Sequence, residues 1–393
     1  MWIIQFILLV AIFVLLIPVF ILLVQVLAAI FFAKSKFSVQ ISAKNQMRHS
    51  ITVLMPAHNE SLVISQTIKS IFSQLTSQDQ LLVVADNCTD DTATIARNLG
   101  ATVLERSNLE RRGKGYALDF GLQHLKKSPP QIIIIIDADC LVEEGTAELL
   151  ANACFQSQRP VQALYVMESQ PNPSLKARIA AFAWMVKNKV RPLGASAMGL
   201  PCQLMGTGMA FRWEDISNTN LASGHIVEDM KLGIDLARFN KAPLFLVEAK
   251  VTSIFPPTQE ATNTQRTRWE HGHLSVILSE APSLFFEAIK AKNMQMFGLA
   301  CDLIVPPLAV LTLLCTALLV LCLIFSTTVM VMLSATLFGV LFLAVMLAWL
   351  FFGRDIISLQ QLCYAPIYAL TKIPLYIKFF FNRQVEWVRS KRD

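Results

Sequence analysis

The chain has 393 residues, 54% of them hydrophobic and 16% charged, with a formal net charge of +6. That apolar share is above the range of an ordinary water-soluble domain, so part of the chain is built for lipid. The positive balance suits a surface resting on anionic lipid, and no basic stripe interleaved with aromatics is present to bind nucleic acid.

Residues 2–32 are an almost uncharged apolar run. A helix needs about 20 such residues to cross a bilayer, so this run is long enough. It is too long for the apolar part of a secretory leader and no basic segment precedes it. Residues 1–33 are therefore expected to be a retained transmembrane anchor. Lys34, Lys36, Lys44 and Arg48 follow, which by the positive-inside rule puts Phe37 onward in the cytoplasm.

Residues 46–284 are the expected cytoplasmic domain, long enough to bury its own core. Strand and helix patterns alternate: strands at 51–55, 81–85, 101–104 and 131–136, helices at 61–72, 91–99 and 115–125. This series predicts an α/β domain with a mostly parallel sheet and helices on both faces. Beyond it, 163–167 reads as a strand and 174–190 as a helix capped by Ser174. Residues 191–199 are rich in small side chains and read as a mobile loop, and 260–280 as a helix leading to the membrane.

Two further transmembrane helices are expected at 297–325 and 328–352, the first kinked at Pro306-Pro307, with Asp302 interfacial. Lys290, Lys292 and Arg354 flank the pair, so both outer ends are cytoplasmic. Residues 356–381 are apolar but interrupted by Pro366, Lys372, Pro374 and Lys378. An interfacial helix within 356–393 is preferred to a crossing, which would put the basic tail 389–392 outside. The expected location is the inner (plasma) membrane, multi-pass. The eight cysteines form no C-x-x-C pair, so neither a zinc site nor a disulfide framework is indicated.

The chemistry-bearing residues fall at strand ends. Ile132 to Ile136 run into Asp137-Ala138-Asp139, and ligands of open α/β sheets bind at the carboxyl ends of strands. Either the two acids cap the strand in solvent, or at least one holds a divalent cation, which would neutralise a diphosphate. Asp86 ends the second strand, where a carboxylate can accept from a base imide or a ribose hydroxyl, while Asp90 or Asp91 suits the next helix start. The glycines around Lys114 allow close approach to phosphate oxygens, or make a solvated basic loop. Glu228-Asp229 either caps a helix or supplies a general base. On a helix Gln265, Arg268 and Trp269 share a face. Arg268 can pair with diphosphate and Trp269 can stack on a sugar, or both can be interfacial anchors.

In this order the segments 56–60, Asp86, 113–118, Asp137-x-Asp139, 206–208, Glu228-Asp229 and Gln265-x-x-Arg268-Trp269 resemble the membrane-bound glycosyltransferase family 2 enzymes, the group of cellulose and hyaluronan synthases, with exopolysaccharide-type members nearest. The resemblance implies a GT-A-like domain flanked by transmembrane helices. It implies that Ala57, Glu60 and Asp86 hold a uridine, with Lys114 near the nucleotide. Asp137 would contact the nucleotide, and Asp139 would bind Mg²⁺ or Mn²⁺. Asp229, next to Glu228, would be the catalytic base for inversion. Gln265, Arg268 and Trp269 would form the diphosphate and acceptor platform, and Gly206, Thr207 and Gly208 would line the acceptor side. Members often carry Asn where this chain has Asp119, which touches fine details of donor contact. The implied activity is transfer from a UDP-sugar to a polyprenyl-linked or polysaccharide acceptor. Two other readings stay open: a processive synthase that recruits export or polymerase partner subunits, and a non-catalytic scaffold that binds nucleotide-sugar.

Overall fold

The computed structural model describes residues 2–32, 49–168, 172–222, 227–255 and 259–381, with the side chains of 259–263 left aside. The expected basic flank at Lys34, Lys36, Lys44 and Arg48, and the tail at 389–392, lie outside the described residues. The chain divides into two compact units.

One unit holds residues 37–170 and 201–272 and carries an eight-stranded sheet. Its strands are β1 (Ile51–Ala57), β2 (Gln80–Asp86), β3 (Thr102–Arg106), β4 (Ile132–Ile135), β5 (Cys140–Val142), β6 (Val161–Glu168), β7 (Met209–Arg212) and β8 (Leu244–Ile254). The order across the sheet is β3-β2-β1-β4-β7-β6-β8-β5. The half built from β3, β2, β1 and β4 is parallel throughout, as is the β6–β8 pair; β7 and β5 run antiparallel to their neighbours.

The parallel half follows from its sequence. β4 is four isoleucines, all buried, and β-branched runs suit a strand covered on both faces. One face of these strands (Leu54, Leu82, Val84, Ile133, Ile135) packs against Ala117, Leu118 and Leu122 of the helix Lys114–Leu125. The alternate residues Val53, Met55, Val83 and Ile134 are equally buried, and the period of two turns them to the opposite face. The helix Thr146–Ser157 packs across β4, β6, β7 and β8.

The other unit holds residues 1–36, 171–200 and 273–383. Among the described residues, three helices are long and apolar enough to cross a membrane: Trp2–Phe31, Leu308–Phe325 and Thr328–Gly353. Where one kinked helix is expected over 297–325, the chain forms two, Met294–Ile304 and Leu308–Phe325. Two consecutive prolines remove two amide donors, which breaks the helix rather than bending it. Residues 356–381 form short helices, Leu359–Leu362, Ala365–Leu370 and Ile373–Phe381, each far below spanning length.

Ser174 caps the helix Leu175–Met185 as expected, accepting from the Ala177 amide at 3.3 Å. Residues 191–199 correct the sequence reading. They are not a loop but begin with the helix Arg191–Ala197. Their small side chains serve close packing: a Cβ on Gly194 would lie 2.0 Å from the Gln25 carbonyl oxygen. Asp302 is buried within the protein. It pairs with Arg191 at 2.8 Å and accepts from Gln25 Nε2 at 2.7 Å.

Candidate functional site

The carboxyl ends of β1, β2 and β4 lie side by side, and the chain turns sharply as it leaves the first two. Asn59 and Asn87 take positive φ angles of 55° and 52°, a conformation that asparagine tolerates better than most residues. These turns leave a cleft of about 750 Å³, open mouth included. Its lining includes Ala57, Glu60, Asp86, Lys114, Asp137 and Asp139 from the strand ends and the Lys114 helix. Gln265 and Arg268 come from the helix Gln259–Ser279.

Lys114 is the hub. Its Nζ stands 2.5 Å from Asp137 Oδ1 and donates to the Gly206 carbonyl at 2.7 Å. Gly206 has φ +94°, and a Cβ there would lie 3.3 Å from Asp229 Oδ2 and 3.4 Å from Lys114 Nζ. Asp229 therefore stands on the same side of Lys114 as the Gly206 turn. Burial alone would lower the Lys114 ammonium, but Asp137, Glu228 and Asp229 hold it above its ordinary value. Burial, reinforced by Asp229, pushes the Glu228 carboxyl up to about 7 against the pull of Lys114. Burial also lowers Arg268, while Glu228, Asp137 and Asp229 pull it the other way.

The predicted residues thus divide. Ala57, Glu60, Asp86, Lys114, Asp137, Asp139, Gln265 and Arg268 line the cleft, whereas Gly206, Thr207, Gly208, Glu228, Asp229 and Trp269 are not in its lining. The first three of the latter group bond to residues that frame the cleft. Thr207 Oγ1 accepts from the Asp137 amide at 3.1 Å, and the Gly208 amide donates to the Ile135 carbonyl at 2.9 Å. Trp269 follows Arg268 on the helix and is half-buried. Residues 224–225, the Gly-His pair shortly before Glu228 in the sequence, lie outside the described residues.

Sequence reasoning missed several supports. Arg106 Nη1 lies 2.5 Å from Asp86 Oδ1, and Asn87 Nδ2 donates to the same oxygen at 3.0 Å. His58 Nδ1 donates to the Asp86 carbonyl at 2.6 Å. The buried Gln162 donates to the Thr207 carbonyl and accepts from the Met205 amide. Thr67 and Ser253 donate to the carbonyls of Ala138 and Asp139, fixing the acidic turn. The helix-start question resolves on Asp90, whose Oδ1 accepts from the Thr92 amide at 3.1 Å and the Thr92 hydroxyl at 2.6 Å.

The donor set for a metal is Asp137, Asp139 and Cys140, whose ligand atoms lie within 4.8 Å of one another. Burial pushes the Cys140 thiol up to about 12, so it stays protonated at neutral pH and the oxygens are the available ligands. Around them stand the acids Asp137, Asp139, Glu228 and Asp229 and the bases Lys114 and Arg268. An excess of carboxylates offering hard oxygen ligands fits a divalent cation such as Mg²⁺ or Mn²⁺.

Residues 48–272 match the family described as "Glycosyltransferase like family 2". The chain belongs to that family. "Probable glycosyltransferase YdaM" of Bacillus subtilis (strain 168) is 24% identical over 258 residues, 60% of this chain and 58% of its own length. A poly-beta-1,6-N-acetyl-D-glucosamine synthase of Staphylococcus epidermidis is 21% identical over 273 residues, 68% of this chain and 65% of its own. The chain thus spans less than two thirds of the length of these curated relatives. A mannosyltransferase, PcManGT from Pyrobaculum calidifontis, solved in complex with GDP-Man and Mn²⁺, superposes with a TM-score of 0.53 at 16% identity, covering 94% of this chain and all of that one. That likeness shows a shared GT-A glycosyltransferase fold.

Proposed function

We propose that this protein is an inverting, metal-dependent hexosyltransferase that moves a sugar from a UDP-sugar to a membrane-associated glycan or polyprenyl-linked acceptor. The reaction takes place on the cytoplasmic side of the inner (plasma) membrane, in cell-surface or exopolysaccharide synthesis. The observation that carries this reading is the placement of Lys114 between Asp137, at the end of β4, and Asp229, across the Gly206 turn.

Asp137 and Asp139 would hold Mg²⁺ or Mn²⁺, which supplies charge neutralisation for a departing diphosphate. Arg268 adds a planar fork of donors for phosphate oxygens, and Gln265 offers a buried acceptor atom with no partner. Asp86, fixed by Arg106, accepts from the nucleoside together with Ala57 and Glu60. Asp229 takes the proton from the attacking hydroxyl, and Lys114 stabilises its ionised form. Single displacement then inverts the anomeric carbon without a covalent enzyme intermediate. Trp269 and the 206–208 turn complete the acceptor side, and the three apolar helices keep the protein in the bilayer with its lipid-borne substrate.

Asp229→Asn should lower transfer by about 10²- to 10⁴-fold, the usual worth of a general base, while UDP binding stays near that of the unaltered protein. Normal turnover in that variant would end the proposal. Chelation should stop the reaction, and Mn²⁺ or Mg²⁺ should restore it.

The synthase named among the relatives favours a second reading, processive polymerisation with partner subunits for export. Sizing the product made by the purified protein separates the two: a single added sugar supports the first, a polymer the second.

A further inference from the structure

A second cavity lies on the helix Glu228–Arg238 and encloses about 1040 Å³, open mouth included. Glu228 lines this cavity and not the cleft at the strand ends. Its neighbour Asp229 faces the Gly206 turn and Lys114. Two adjacent acids at one helix start therefore address two different spaces.

The chemistry of the second space is distinctive. Apart from Glu228, its acids are paired with its own lysines or with Arg212 and Arg238 behind the lining. Asp215 pairs with Arg212 at 2.9 Å and Lys241 at 3.5 Å, Glu214 with Arg212 at 2.5 Å, and Asp235 with Lys231 and with Arg238 at 3.1 Å. With every cation paired and Glu228 the acid left over, such a lining disfavours an anionic ligand. Leu221, Leu232 and Leu236 supply buried apolar surface, and Asn218 and Asn220 supply amides that donate and accept at once. Phe239 stands at the end of the same helix, 77% exposed. Apolar patches for C–H faces, side-chain amides for hydroxyls and an exposed ring for stacking are together what a neutral sugar chain requires.

We infer that this cavity is a subsite for the glycan part of the acceptor, a neutral oligosaccharide whose growing end reaches the Glu228–Asp229 corner. The inference rests on the transferase reading above and adds the substrate class and the path of approach.

The test uses the full chain in detergent and neutral oligosaccharides of two to four sugars as probes, with a monosaccharide as control. Saturation-transfer NMR reports binding, and UDP release without acceptor reports the donor site. The longer probes should bind more tightly than the monosaccharide. Phe239→Ala, at an exposed position, should weaken them by about tenfold, and Asn220→Ala should weaken them in the same direction. Neither variant should alter acceptor-independent UDP release. Absence of oligosaccharide binding, or equal binding by the unaltered protein and both variants, overturns the subsite. Loss of UDP release in the unaltered protein would count against the transferase reading instead, and the binding data would still decide the subsite.

Discussion

Lys114 Nζ lies 2.5 Å from Asp137 Oδ1 at the centre of the candidate site, and the same ammonium is bonded to the Gly206 carbonyl. One cation thus ties a strand end, a helix start and a glycine turn together. Lys114→Met removes that tie and leaves Asp137, Glu228 and Asp229 in mutual repulsion. The pair is part-buried, so deleting one partner costs less than the roughly 3–5 kcal/mol of a fully buried pair. Sugar transfer by this variant should fall at least about 100-fold, with a lower thermal midpoint. Steady-state rates and thermal unfolding in the same detergent check both effects.

Glu228 gives the pH dependence. Its folded value of about 7 lies above the ordinary 4.5, because burial and Asp229 oppose ionisation. The folded state therefore binds the extra proton. The stability that this supplies is full below the ordinary value and is lost as pH rises through about 7. The thermal midpoint should fall between about pH 5 and about pH 8. Glu228→Gln, which cannot ionise, should flatten that fall. An unchanged slope in the variant would assign the pH dependence to another group.

Asp302 and Arg191 form a buried pair 2.8 Å apart, with Gln25 bonded to both. Asp302→Ala strands the Arg191 guanidinium and should destabilise the protein by about 3–5 kcal/mol, whereas the double change Asp302→Leu with Arg191→Met should cost much less. Denaturation midpoints of the single and double variants give the comparison.

The parts legible in the sequence were those set by local pattern. Five isoleucines ahead of Asp137 and Asp139 located the central strand and its acidic end, since a fully buried parallel strand is apolar on both faces. The alternating pattern likewise gave the α/β class. What stayed hidden depends on register or on distant packing. Arg106 meets Asp86 only because β2 and β3 pair with those two residues opposite each other. The bonds by which Gly206, Thr207 and Gly208 brace Lys114, Asp137 and the sheet join segments far apart in the chain. The segment from Arg191 looked like a loop because small residues carry little helical amphipathicity. Its order comes from partners more than a hundred residues away.

The buried contacts of Gln25 make the first helix a structural component rather than a tether. Trimming residues 1–32 to obtain a water-soluble enzyme would strip Asp302 of a 2.7 Å donor and uncover the small-residue surface at Gly194. Grafting on an unrelated hydrophobic leader of equal length would return the protein to the bilayer but leave those vacated contacts unfilled.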